Sequence, residues 1–335
     1  MGHMARSSIA PVRWQPPTAP ARSRQPRSAE PLPPLRLLDV LGQGPEDVLV
    51  DDAGRVLTGV ADGRILRLAP DNRLLEVLAD TGGRPLGLEW LPDGGLLVCD
   101  ARRGLLRVDL ATGVVTTLVS DVDGRPIGFC NNAAVAGDGT IYFSDSSRRF
   151  GVDAWKADLL EHSGTGRLLR RGLAAEVTVL ADGLQFANGV ALAPDGSFVV
   201  VAETAAYRLS KVWITGPRAG EVEVFVDNLP GFPDNVSTGT DGLFWVAMGS
   251  PRDPLLDRLL PRHPRLRRVV WALPDRLQPR PQNFVWVYAL SPAGEVVHDL
   301  QAPGDRFHFV TGVREHHGTV HLGSLVGDSV GVFDL

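Results

Sequence analysis

Four side chains suited to a hard cation stand at one repeated position of this chain. Six glycines, Gly54, Gly94, Gly139, Gly196, Gly242 and Gly318, each end a turn between two apolar runs. Counting eight residues back from each gives Glu46, Leu86, Asn131, Asn188, Asp234 and Val310. Two of these are carboxylates, two are amides and two are aliphatic. Equivalent residues of repeated strands share a face and a height. A ring of such repeats would therefore bring four side-chain oxygens together. Two buried carboxylates at close range repel unless a cation lies between them. Carboxylate and amide oxygens are donors that calcium accepts, and two carboxylates balance its charge. With no His or Cys at the position, zinc is not expected. The competing explanation is the preference of Asn and Asp for turns near strand starts. It accounts neither for the shared register nor for Glu46.

The elements that would position these residues are legible in the same repeat. Four turns read Asp-Gly, with Asp93, Asp138, Asp195 and Asp241 before their glycines. Asp-Gly between apolar runs is a strong hairpin signal. A further strand follows each hairpin: 64–68, 105–110, 167–171, 209–214, 284–290 and 329–335. Several short strands per unit of roughly 40–50 residues describe a propeller blade. The pattern predicts an all-β, six-bladed β-propeller over 35–335, closed by pairing its last strand with residues near 35–41. A β-sandwich would not repeat one hairpin six times.

Residues 1–34 form a separate arm. Its first four residues, MGHM, read as a cloning remnant, and 5–34 are rich in Pro, Arg, Ser and Ala. That composition predicts a disordered or extended, solvated leader. The chain's 335 residues, 44% of them hydrophobic, suffice for a large core, and its net charge of -5 gives no nucleic-acid signal. No apolar run long enough for a membrane span occurs. The two cysteines, Cys99 and Cys130, read as buried, unpaired thiols. They favour a reducing, cytoplasmic location.

Two blades carry insertions between their second and third strands, at about 148–166 and 251–283. The end of strand two lies beside the start of strand one, so both insertions should overhang the oxygen ring. Long insertions of this kind are usually functional. The first holds Phe150, Trp155 and His162. The second has leucines, valines and Trp271 at helical spacing, with eight arginines against three aspartates. Three roles stay open: a lid over a substrate pocket, peripheral contact with an anionic membrane through 251–283, or a helix packed on the rim.

The stretches GPED (44–47), FCNN (129–132), FANGVALAPDG (186–196) and GFPDN (231–235) resemble the calcium-dependent phosphotriesterase superfamily, which includes gluconolactonases and paraoxonases. YFSDSS (142–147), VVAETAAYRLSKVWITG (200–216) and EHHGTVHLGSL (315–325) are similar to its strictosidine-synthase-like branch. The likeness spans residues 35–335. It implies a six-bladed propeller and a calcium-dependent esterase or lactonase. Its metal ligands map onto Glu46, Asn131, Asn188 and Asp234, with Asn235 matching an additional paraoxonase ligand. Asn132 stands where the family usually has Asp. The paraoxonase-like catalytic His falls at Leu86, and the catalytic Glu of strictosidine synthase falls at Thr311.

The expected activity is therefore hydrolysis of a small lactone or ester, with Ca2+ in the channel. Asp234 is the candidate general base or water-orienting group, with His308 and His316 as further candidates near the sixth inner strand. The expected pocket includes Leu86, Asn132, Phe150, Trp155 and Trp271. Two other classes remain open: a scaffold propeller with a structural ion, and a non-hydrolytic enzyme of specialised metabolism.

Overall fold

All six turn glycines have left-handed backbones, with φ between 69° and 93°, the conformation that Gly adopts without steric cost. The computed structural model describes residues 7–25, 30–71 and 73–335. Six antiparallel sheets stand as blades I to VI, covering 48–80, 85–119, 130–184, 187–226, 231–303 and 310–334. This is the β-propeller that the repeat predicts. Blade VI takes its fourth strand from the other end of the chain: Arg36–Asp39 pairs antiparallel with Ser329–Val332. Glu30 and Pro31 add a short parallel strand to the edge of blade V.

The inner strands are apolar on both faces because each blade packs against two others. The second strands Leu96–Asp100, Ile141–Asp145 and Phe198–Glu203 are buried throughout. One apolar cluster fills each interface between blades. Between blades V and VI, for example, Trp245, Val285 and Val287 meet Val310, Val313 and Leu322. Cys99 and Cys130 are buried, free thiols in the cluster between blades II and III.

The first strands share a less expected feature. Their pairing jumps from Pro85 to Leu88, Cys130 to Ala133, Ala187 to Val190, Pro233 to Val236 and Val310 to Val313. Two residues are thus pushed out of the ladder, as in a β-bulge. In blade VI these are Thr311 and Gly312. The equivalent of Glu46 is therefore Thr311, not the Val310 given by the eight-residue count. The hairpin of blade VI is tighter, with His316 directly opposite Thr319, so its strand is offset by one residue from its turn glycine.

The two insertions are helical. The first carries α1 (Trp155–Glu161) and the second α2 (Pro254–Arg262) and α3 (Pro264–Ala272). None of these, nor any other helix among the described residues, is long and apolar enough to cross a membrane. The described residues of the arm are only partly solvated. Ile9 is buried among Phe150, Ala157, Leu160 and Trp271. Val12 N–H donates to Glu161 O and Trp14 N–H to Leu260 O. Farther along, Arg22 pairs with Asp299 and stacks over Trp286. The arm thus runs from the lid to the flank of blade V, joining both insertions on the way.

Candidate metal centre and substrate cavity

The bulges place two concentric sets of side chains at the top of the channel. The first set is Glu46, Leu86, Asn131, Asn188, Asp234 and Thr311, all of which line one cavity of about 150 Å³. The second set, one residue later, alternates polar and glycine: Asp47, Gly87, Asn132, Gly189, Asn235 and Gly312. The glycines are there because neighbouring backbone is too near for a side chain. A Cβ on Gly189 would lie 2.0 Å from Val236 N. The polar members tie blades together. Asp47 Oδ2 accepts Leu88 N–H at 3.0 Å, and Asn132 Oδ1 accepts Val190 N–H at 2.9 Å.

In the first set the amide nitrogens are occupied and the oxygens are not. Asn131 Nδ2 donates to Ser146 Oγ at 2.9 Å. Asn188 Nδ2 donates to Thr204 Oγ1 at 3.1 Å and to Asp234 Oδ1 at 2.7 Å. Below them, Asn235 Nδ2 donates to Glu46 Oε1 at 3.2 Å. Glu46 Oε2, Asn131 Oδ1, Asn188 Oδ1 and Asn235 Oδ1 are buried without a hydrogen-bond partner. Buried polar atoms are normally satisfied. Four partnerless oxygens from one small constellation are donors that suit a hard cation. Two carboxylates and three amides are a donor set that calcium takes.

Burial, above all, holds the carboxylates toward their protonated forms. Burial, together with Asp47 and Asp234, pushes Glu46 well above the usual carboxylate range. Burial raises Asp234 to about 7, against the hydrogen bond from Asn188. Asp47 rises to about 6 through burial, with Arg314 working in the opposite direction. A divalent ion would reverse these shifts.

Above the ring the cavity is apolar. Phe129, Phe186, Phe232 and Phe309 stand two residues before Asn131, Asn188, Asp234 and Thr311 respectively, and all four line it. They form an aromatic collar. Trp155 of α1 approaches Phe309 at a ring distance of 6.0 Å, and Leu256, Leu259 and Val270 of the second insertion complete the roof.

Leu86 and Trp155 line this cavity; three other expected pocket residues do not. Phe150 and Trp271 point into the packing between the lid elements, where Ile9 covers them. Trp271 Nε1–H donates to Ser7 O. Asn132 faces the blade interface described above. The two histidines are also displaced. His316 sits beside the turn, opposite Thr319, at the far end of its strand. With a rise of about 3.3 Å per residue, that is about 20 Å from Val310. His308 lies above the strand but does not line the cavity. Sequence reasoning missed Ser146 and Thr204, which hold the amides. Each follows an acidic residue at the end of a second strand, Asp145 or Glu203, and that pairing is a visible signal.

Residues 131–217 match the strictosidine synthase family, and 33–68 match the strictosidine synthase-like N-terminal family. The chain is 36% identical to adipocyte plasma membrane-associated protein of Salmo salar over 307 residues, covering 84% of this chain and 73% of that protein. It is 34% identical to strictosidine synthase-like protein 10 of Arabidopsis thaliana over 338 residues, covering 92% and 90%. Solved propellers share the fold at lower identity. A Xanthomonas campestris gluconolactonase superposes with a TM-score of 0.66 at 17% identity, covering 98% of this chain and 99% of that one. Regucalcin of Agrobacterium tumefaciens, described as a calcium-binding protein, gives 0.60 at 16% identity, covering 88% and 90%.

Proposed function

The chain belongs to the strictosidine synthase-like family, and from that premise we propose that it is a calcium-dependent hydrolase of lactones or aryl esters. The observation that carries this reading is a set of partnerless buried oxygens: Glu46 Oε2, Asn131 Oδ1 and Asn188 Oδ1 on residues that line an apolar cavity, and Asn235 Oδ1 on the residue that hydrogen-bonds Glu46. With Asp234, these residues would hold the ion. When bound, calcium supplies Lewis-acid polarisation of an ester or lactone carbonyl. Descriptions of propellers with the same fold, as a gluconolactonase and as a calcium-binding protein, point the same way.

The chain's own residues divide the remaining work. Asp234 lines the cavity. One of its oxygens is held by Asn188, and the other lies against Gly249. It orients a water and receives that water's proton as the hydroxyl adds to the carbonyl, then returns the proton to the leaving oxygen as the acyl C–O bond breaks. The phenylalanine collar grips the apolar part of the substrate, and Trp155 with the α2 leucines and Val270 of α3 keeps bulk water out. Water exclusion strengthens every electrostatic contact at the reacting carbonyl. Thr311 stands in the ring without a carboxylate; its hydroxyl donates to Glu46 O at 2.8 Å. The position therefore has no proton acceptor for an amine–aldehyde condensation.

The test is turnover of phenyl acetate and a panel of γ- and δ-lactones, with added calcium and then with excess chelator. Calcium-dependent hydrolysis that the chelator abolishes and calcium restores is the expected result. Turnover indifferent to the chelator would remove the metal from the reaction. No turnover of any member would leave a binding propeller as the better reading.

A further inference from the structure

The lid turns one face to the cavity and the other to solvent. Packing on the propeller, on α1 and on the arm explains the covered side chains, including Leu259, Leu260 and Trp271, all buried. It does not explain the outer face. There Leu255, Leu266, Val269 and Leu277 are exposed at 52%, 49%, 55% and 59%. Leu266 and Val269 are three apart on α3 and so share one side of it. Between and around them, Arg262, Arg265, Arg268 and Arg276 are exposed. Among the described residues, none of these four arginines has a carboxylate partner within 4.0 Å. The chain as a whole is acidic, with a net charge of -5, so this basic, apolar surface is a local exception to its charge.

We propose that the outer lid face docks on an anionic lipid surface. Large aliphatic side chains interleaved with unpaired arginines are what such a surface recognises: the aliphatics enter the acyl boundary and the guanidinium groups meet headgroup phosphates. Charge complementarity calls for an anionic partner, and the large aliphatic side chains among the arginines suit a lipid boundary rather than a hydrated acidic protein surface. The same lid roofs the cavity, and Leu255 both lines it and reaches the exterior. Docking would set the lid side of the cavity at the membrane, where apolar molecules accumulate. Such docking is independent of hydrolysis, because it concerns binding alone.

The experiment is co-sedimentation of the full chain with phosphatidylcholine vesicles, with and without about a third of phosphatidylglycerol. Binding should require the anionic lipid and weaken in high salt. Replacing Arg262, Arg265 and Arg268 with Gln should weaken partitioning roughly fivefold per residue, about a hundredfold together. Leu266→Ser with Val269→Ser should also release the protein. Both variants should keep the wild-type melting temperature, since these side chains face solvent. Failure of the wild type to bind anionic vesicles would overturn the proposal, as would undiminished binding by both variants. Concentration-dependent dimerisation lost in the same variants, without vesicle binding, would make the face a self-association surface instead.

Discussion

Asn188 donates its amide N–H to Asp234 Oδ1 across the interface of blades IV and V at 2.7 Å, and its own Oδ1 is left without a donor. One contact thus orients both members toward the channel. Asp234→Asn keeps the shape and removes the charge. Hydrolysis should fall by at least about a hundredfold, roughly 2.7 kcal/mol of barrier, with an unchanged circular dichroism spectrum. A wild-type rate with calcium still bound would reduce Asp234 to a ligand.

Ion and fold should be coupled. A cation bound only by the folded chain stabilises it by about 2.7 kcal/mol at a hundred times its dissociation constant. Calcium should raise the melting temperature by several degrees, and chelator should reverse this. Glu46→Gln should shrink the difference. Differential scanning fluorimetry of wild type and variant, each with calcium and with chelator, reads it directly. Identical curves in all four conditions would count against a coupled ion.

Gly189 tests the close approach of blades. A methyl group there would meet Val236 N at 2.0 Å and Asn235 Cα at 2.6 Å, both backbone atoms. Gly189→Ala should cost more than about 3 kcal/mol, the upper range of overpacking. Gly137 has open space, with nothing within 4 Å of where a Cβ would stand, and should accept Ala within about 1 kcal/mol. Urea midpoints of the two variants would separate the cases, and equal midpoints would contradict the geometry.

His162 should make the lid acid-sensitive. Burial, with Arg267 and Arg208 nearby, lowers it to about 3, and both ring nitrogens are buried without partners. The unfolded chain takes up this proton near pH 6.5 and the folded chain only near 3. Between those values the unfolded state binds more protons, so stability falls as pH falls. The loss by pH 4.5 should be on the order of 2 kcal/mol. His162 ends α1 in a left-handed conformation, φ 58°, which Asn tolerates. His162→Asn should flatten this part of the stability profile, and a profile as steep as the wild type's would show that another group is responsible.

Much of the site was readable because the hairpin repeats. An Asp-Gly turn fixes a register, and that register singles out Glu46, Asn131, Asn188 and Asp234. The count failed at Val310 because it assumed equal hairpins, and blade VI turns more tightly. The collar of Phe129, Phe186, Phe232 and Phe309 is periodic in the sequence, yet its direction depends on bulges that no single strand announces. Phe150 and Trp271 were misplaced for a different reason. Which side of an insertion faces inward depends on what covers the other side, and here Ser7 and Ile9 of a distant segment do so. His316 is near the ring in sequence but far along an extended strand.

The pairing of Arg36–Asp39 with Ser329–Val332 carries a consequence for synthesis. The ribosome makes this strand first, and its partner emerges almost 300 residues later. At about 5–20 residues per second, the early strand waits roughly 15–60 seconds with an unfilled edge. Blades II to V can assemble meanwhile from neighbouring hairpins, but the circle cannot lock until blade VI has been made. Unclosed intermediates therefore present the faces of blades I and V that blade VI will cover. A nascent-chain pull-down or pulse proteolysis should find the protease-resistant core appearing only after residue 332 has left the exit tunnel.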